Sequence, residues 1–102
     1  MIHLEAKYLE LVRKILSVFL PNRTVWIFGS RVKGNIHRAS DIDLALMGEE
    51  PVAWDDLIDL RDAFAASRLP YRVDLVDWAQ TKPTFRKIIE ANHEVVQEGK
   101  TE

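Results

Sequence analysis

The spacing of apolar residues changes several times along this chain, and each change marks a new element. Leu4, Tyr8, Leu11, Ile15 and Val18 recur at helical intervals, with Lys7, Glu10, Arg13 and Lys14 largely on the other side. Pro21 and Asn22 stop that pattern. Residues 24–28 form a short β-branched and aromatic run that ends at Gly29, the signature of a buried strand. Ser30 to about Gly34 reads as a helical turn, and residues 35–40 as a polar loop. Over residues 41–47 the period drops to two, with Ile42, Leu44 and Leu46 pointing one way and Asp41, Asp43 and Ala45 the other.

A turn at residues 48–51 leads into a second amphipathic helix with Trp54, Leu57, Ile58, Arg61, Phe64 and Ala65 along one side, closed off by Pro70. Residues 71–78 predict a third strand, with Val73 and Leu75 on one face and Arg72, Asp74 and Val76 on the other. Residues 84–92 predict a helix striped by Phe85, Ile88 and Ile89, and Val95 and Val96 a short edge strand. The end of the chain, from about residue 97 to 102, is expected to fray. This alternation predicts an α/β (α+β) sandwich. At 102 residues the chain has room for a single domain, residues 1–102.

Composition narrows the function classes. An apolar share of 47% with 29% charged residues is that of an ordinary soluble domain, and no apolar run is long enough for a membrane span. Glu5 and Glu10 interrupt the first apolar segment, which does not suit a secretory signal. With no cysteine there is neither a disulfide framework nor a thiolate metal site, which fits a cytoplasmic location. The net charge of −2 argues against nucleic acid as the principal partner, because duplex binding calls for a basic face.

The chemistry concentrates in Gly29-Ser30, ten further residues, then Asp41-Ile42-Asp43. Gly29 ends a strand and Ser30 opens a helix, so backbone N–H groups and the Ser30 hydroxyl form a candidate cradle for phosphate oxygens. Asp41 and Asp43 lie two apart on a strand and project from the same face. Two carboxylates ~4 Å apart repel by about 4 kcal/mol at an effective dielectric of 20. A divalent cation such as Mg²⁺ or Mn²⁺ relieves that repulsion, and Asp74 on a neighbouring strand would complete a two-metal phosphoryl-transfer set. Taken singly, Gly-Ser reads as a capped turn, Asp-x-Asp as the solvated face of a strand, and Asp74 as a surface residue. At ordinary residue frequencies the combination arises by chance in on the order of one in a thousand chains of this length.

Gly29-Ser30-x10-Asp41-x-Asp43 resembles the nucleotidyltransferase pattern of the DNA polymerase β superfamily. Phe28-Gly29-Ser30-Arg31-Val32-Lys33-Gly34 followed by Ser40-Asp41-Ile42-Asp43-Leu44 is similar to the minimal nucleotidyltransferases, or MNT proteins. The stretch Arg72-Val73-Asp74-Leu75-Val76-Asp77 resembles the strand that carries their third carboxylate. The resemblance runs from the first helix to about Val96. It implies a mixed sheet with helices mainly on one side. It also implies attack by an acceptor oxygen on the α-phosphate of a nucleoside triphosphate, with Mg²⁺ as cofactor and ATP as the family's usual substrate. Asp41 and Asp43 would bind both metals, and Asp74 the catalytic one. Gly29 and Ser30 would grip the distal phosphates, with Arg31 and Lys33 as weaker candidates. Arg31 could equally be tied to loop carbonyls.

The same resemblance implies a partner. Larger superfamily members carry extra domains that bind the base and position the acceptor, and none fits in this chain. MNT proteins are paired with helical HEPN proteins, often RNase toxins that receive AMP on a tyrosine, so a hetero-oligomer is expected, with a homodimer also open. A small hydroxyl acceptor such as an aminoglycoside, or a non-catalytic antitoxin that masks its partner, are the alternatives. His37 is read as a solvated loop residue, and His3 and His93 have no motif context. Trp26, Trp54 and Trp78 are expected in the core, with Trp54 or Tyr71 alternatively at an interface.

Overall fold

The computed structural model describes residues 1–34 and 41–100. The expected polar loop at 35–40, with His37 in it, and the last two residues lie outside the described residues. Four strands make one sheet: β1 (Val25–Phe28), β2 (Ile42–Leu46), β3 (Val73–Asp77) and β4 (His93–Gln97), in the order β3-β2-β1-β4. β1 runs antiparallel to both β2 and β4, whereas β2 and β3 are parallel. A parallel pair needs a crossover, and α3 (Trp54–Ala65) supplies it.

The sheet's two faces follow from the alternation along its strands. Val25, Ile27, Ile42, Leu44 and Leu46 face one side, where Val12 and Leu16 of α1 (Ala6–Phe19) and Leu60 and Phe64 of α3 close the main core. Phe28 and Ala45 face the other side, against Ile89 of α4 (Pro83–Ala91). The architecture is thus a small mixed sheet with its two longest helices on one face, as expected. Val95 and Val96 lie in β4, which is an edge strand.

Two helices differ from the sequence-based expectation in what they bury. On α1 the buried residues are Val12 and Leu16, while Val18 is 64% exposed. Apolar residues crowd this helix into two overlapping stripes, and packing against the sheet selects the one centred on Val12. On α3 the buried residues are Leu60 and Phe64, and Trp54 stands 68% exposed at the helix start, outside the core. Trp26 and Trp78 do pack together, edge to face at 5.5 Å, and the His93 ring stacks on Trp26 at 3.8 Å.

The chain beyond Val96, expected to fray, is tied to the body as far as Lys100. The Gln97 amide donates to the carbonyls of Leu20 and Arg23, Gly99 N–H to Thr24 Oγ1, and Lys100 N–H to Pro21 O. Trp78 leaves the third strand for a short 3₁₀ turn, Trp78–Gln80. The Arg86 guanidinium donates to Trp78 O and lies over its ring, joining that turn to α4. Among the described residues no helix is long and apolar enough to cross a membrane.

Candidate functional site

β1 ends at Phe28, and the chain turns through Gly29 at φ +78° into a single helical turn, α2 (Ser30–Lys33). A positive φ of this kind suits glycine because it has no Cβ. The Gly29 carbonyl accepts from the N–H groups of Val32 and Lys33, each at 3.0 Å, and Gly34 at φ +92° closes the turn. The turn also passes close to Asp43: a Cβ at position 29 would lie 2.5 Å from its Oδ2, so that carboxyl would have to turn aside.

Asp43 stands opposite Phe28 across the antiparallel pair and opposite Asp74 across the parallel one. The sheet register therefore brings the glycine turn, the second carboxylate of Asp-x-Asp and the third carboxylate together. Asp41 precedes the first residue of β2. The carboxyl of Asp43 is pushed up to about 6 from its usual 3.8, first by burial, then by the negative charge of Asp74, then by that of Asp41. No salt bridge reaches these three carboxylates among the described residues.

These groups border a cleft of about 500 Å³. Gly29, Lys33, Asp43 and Asp74 line its polar part, and Phe28, Val76, Phe85 and Ile88 its apolar part. Ser30 is half-buried at the first position of α2 and is not in the lining. Arg31 takes the structural alternative. It is 2% exposed, its Nη1 donates to His3 O at 3.1 Å, and its guanidinium lies 4.1 Å from the Tyr71 ring centre. The His3 N–H donates back to Arg31 O. Arg31 thus braces the N-terminal segment against α2, and Lys33 is the cation of this turn that faces the cleft. Tyr71, the other interface candidate, is half-buried, with its hydroxyl on Glu5 and its ring edge-on to Tyr8.

Asp77, on the opposite side of β3 from Asp74, has a structural role. Its Oδ2 accepts from Val52 N–H at 3.1 Å and from the Gln80 amide, fixing the start of the crossover to the end of β3. Phe85 and Ile88 were read only as a core stripe, yet Ile89 alone of the three is buried. The sequence held no signal to separate them, because positions i, i+3 and i+4 make an ordinary packing face.

The donor set can be tested for a divalent cation. Magnesium is usually held by one or two carboxylates together with substrate phosphates, not by an all-protein cage. Among the described residues no three carboxylates or histidines are grouped so as to hold a metal ion by themselves. Among the described residues these carboxylates repel one another and meet no salt-bridge partner, which is the condition a cation relieves. The site fits a cation that shares its coordination with a phosphate.

The pattern of the family described as "Polymerase beta, Nucleotidyltransferase" matches residues 10–102. The chain belongs to this family. It is a nucleotidyltransferase. Over 95 residues it is 46% identical to a protein of Haemophilus influenzae named "Probable protein adenylyltransferase MntA", covering 93% of this chain and 83% of that one. The nucleotidyltransferase also shares its fold with a toxin–antitoxin crystallised with AMP-PNP, at a TM-score of 0.73 and 23% identity, over 94% of this chain and 76% of the other. A similar fold occurs in the complex of a tri-AMPylated HEPN toxin of Shewanella oneidensis with its MNT antitoxin, at a TM-score of 0.64 and 20% identity, over 88% and 72% of the two chains.

Proposed function

We propose that this nucleotidyltransferase moves AMP from ATP, with Mg²⁺, onto a hydroxyl of a partner protein, and that the acceptor is a tyrosine of a HEPN toxin. The observation that carries the chemistry is the register of Asp43 with Asp74 beside the Gly29 turn. The identity to a protein adenylyltransferase supports protein as acceptor, and the HEPN–MNT complex of the same fold supports the partner class.

In this reading Asp41, Asp43 and Asp74 are the residues that would hold magnesium together with the phosphates. Bound there, magnesium would neutralise charge on the reacting phosphate and favour the ionised acceptor. Gly29 leaves room for the distal phosphates next to the backbone, and Ser30 and Lys33 secure them. The acceptor oxygen bonds to the α-phosphorus as the bond from that phosphorus to the bridging oxygen breaks. Pyrophosphate leaves, and the hydroxyl proton passes to the Asp74 carboxylate. The same arrangement performed in water would lack the alignment that makes such a displacement fast.

The test is incubation with α-labelled ATP and Mg²⁺, with and without a HEPN protein from the same source. Label on a tyrosine of that protein, lost with Asp43→Ala, is the expected result. Binding of Mg-ATP without any labelled protein would overturn the protein-acceptor reading and redirect the search to small hydroxyl compounds. Full neutralisation of the toxin by an Asp41→Ala, Asp43→Ala double variant would replace catalysis with steric masking.

A further inference from the structure

The cleft is larger and more apolar than phosphate and magnesium require. Its far wall is one side of α4. Phe85 and Ile88, three residues apart, present themselves to the cleft, and Asn92 at the helix end joins them. Phe85 is 39% exposed and Ile88 56% exposed, unusual for two large apolar residues on a helix whose next residue, Ile89, is fully buried. Phe85 does not swing freely, because it meets the Phe28 ring edge-on at 5.9 Å, and Phe28 is the residue just before the glycine turn. One side of the cleft is therefore charged and the other flat and apolar, with an amide at its margin.

A nucleotide has this same division. Its phosphates need cations and backbone space, and its base offers two apolar faces and a polar edge. A cleft of about 500 Å³ lies within the roughly 300–1,000 Å³ range of small-molecule sites. We propose that the α4 face bearing Phe85 and Ile88, with Asn92 at its margin, holds the nucleoside of the bound nucleotide. Phe85 supplies a ring for the base to stack on, Ile88 covers the remaining apolar surface, and the Asn92 amide can pair with a base or ribose edge. The base-binding surface is then part of this chain, and a partner is needed only for the acceptor. This inference rests on the nucleotidyltransferase reading of the Asp43–Asp74 site.

The experiment compares Mg-ATP with Mg-tripolyphosphate, which carries the charge but no nucleoside, by calorimetry on the full chain. Ile88→Asp and Phe85→Ala are expected to weaken Mg-ATP by about tenfold or more, the range of one lost base-stacking contact, and to leave tripolyphosphate within about twofold. Both side chains are substantially exposed, so melting temperatures should hold; Ile88→Gln is the milder variant if Ile88→Asp does not fold. Equal weakening of both ligands, or no change in either, overturns the inference. If Asp43→Asn abolishes Mg-ATP binding while the α4 variants do not, only this inference fails. If wild-type protein binds neither ligand, the reading of the site fails with it. Variants that keep Mg-ATP affinity but lose transfer would assign the α4 face to the acceptor instead and also overturn it.

Discussion

Gly29 and Asp43 are close neighbours: a Cβ on the first would meet a carboxylate oxygen of the second at 2.5 Å, and the carboxyl would have to turn away. The turn and the carboxylate are a single steric unit. Gly29→Ala must move the Asp43 carboxyl and also adopt φ +78°, which disfavours any residue with a Cβ. The expected cost is on the order of 1–3 kcal/mol of stability. Mg-ATP affinity should fall with it by about tenfold, a difference of about 1.4 kcal/mol, read by thermal melts and calorimetry on the same samples.

Lys33 and Arg31 should separate cleanly. Arg31 is buried against Tyr71 and the His3 carbonyl, so Arg31→Ala removes packing and strands that carbonyl. A loss of roughly 2–4 kcal/mol is expected, measured by urea unfolding. Lys33→Ala should leave stability within about 0.5 kcal/mol, as for other exposed substitutions, and weaken triphosphate binding. Equal loss of stability in the two variants would contradict this division of roles.

The raised carboxyl of Asp43 makes stability depend on pH in a set direction. Between 3.8, its usual value, and about 6, the folded chain keeps a proton that the unfolded chain has released. That contribution is fully present below the lower value and is lost as pH rises through the upper one. After discounting for solvent screening at this half-buried group, it amounts to roughly 1–2 kcal/mol. Urea melts of wild type and Asp43→Asn between pH 4 and 7.5 isolate it, because other carboxylates cancel in the difference. Added Mg²⁺ should restore wild-type stability above pH 6, where the proton no longer competes, and have little effect on Asp43→Asn.

Asp74 is exposed at the mouth of the cleft, so Asp74→Asn should fold normally. Transfer should drop by about a hundredfold or more while Mg-ATP binding changes only a few-fold, since the phosphate cradle and Asp43 remain. Single-turnover labelling beside equilibrium binding distinguishes this from loss of nucleotide.

Most of the scaffold could be read from the chain because its strands are short and their alternation is strict. Ile42, Leu44 and Leu46 against Asp43 and Ala45 gave both the strand and its two faces, and the glycine turn announced itself by composition. The pairing that places Asp43 opposite Asp74 could not be read this way, because register is set by tertiary packing across the intervening crossover. The helices were harder. Apolar residues on α1 and α3 outnumber those the core can cover, so periodicity alone could not choose between Val18 and Val12, or keep Trp54 out of the core. Phe85 and Ile88 were misplaced for the opposite reason: their apolar character was taken as packing when it borders the cleft.

The order β3-β2-β1-β4 leaves Asp74 on an outer strand while Asp43 belongs to an inner one and Asp41 directly precedes it. β2 is hydrogen-bonded on both sides, whereas among the described residues β3 has only β2 as a strand neighbour. Outer strands open at lower free energy than inner ones, so amides of β3 should exchange hydrogen sooner than those of β2. If β3 opens first, Asp74 would leave the site while Asp43 and the glycine turn stay in place. In such an excursion the nucleotide can stay bound while transfer is suspended, and any protein that docks along β3 would shift the balance between those two conditions.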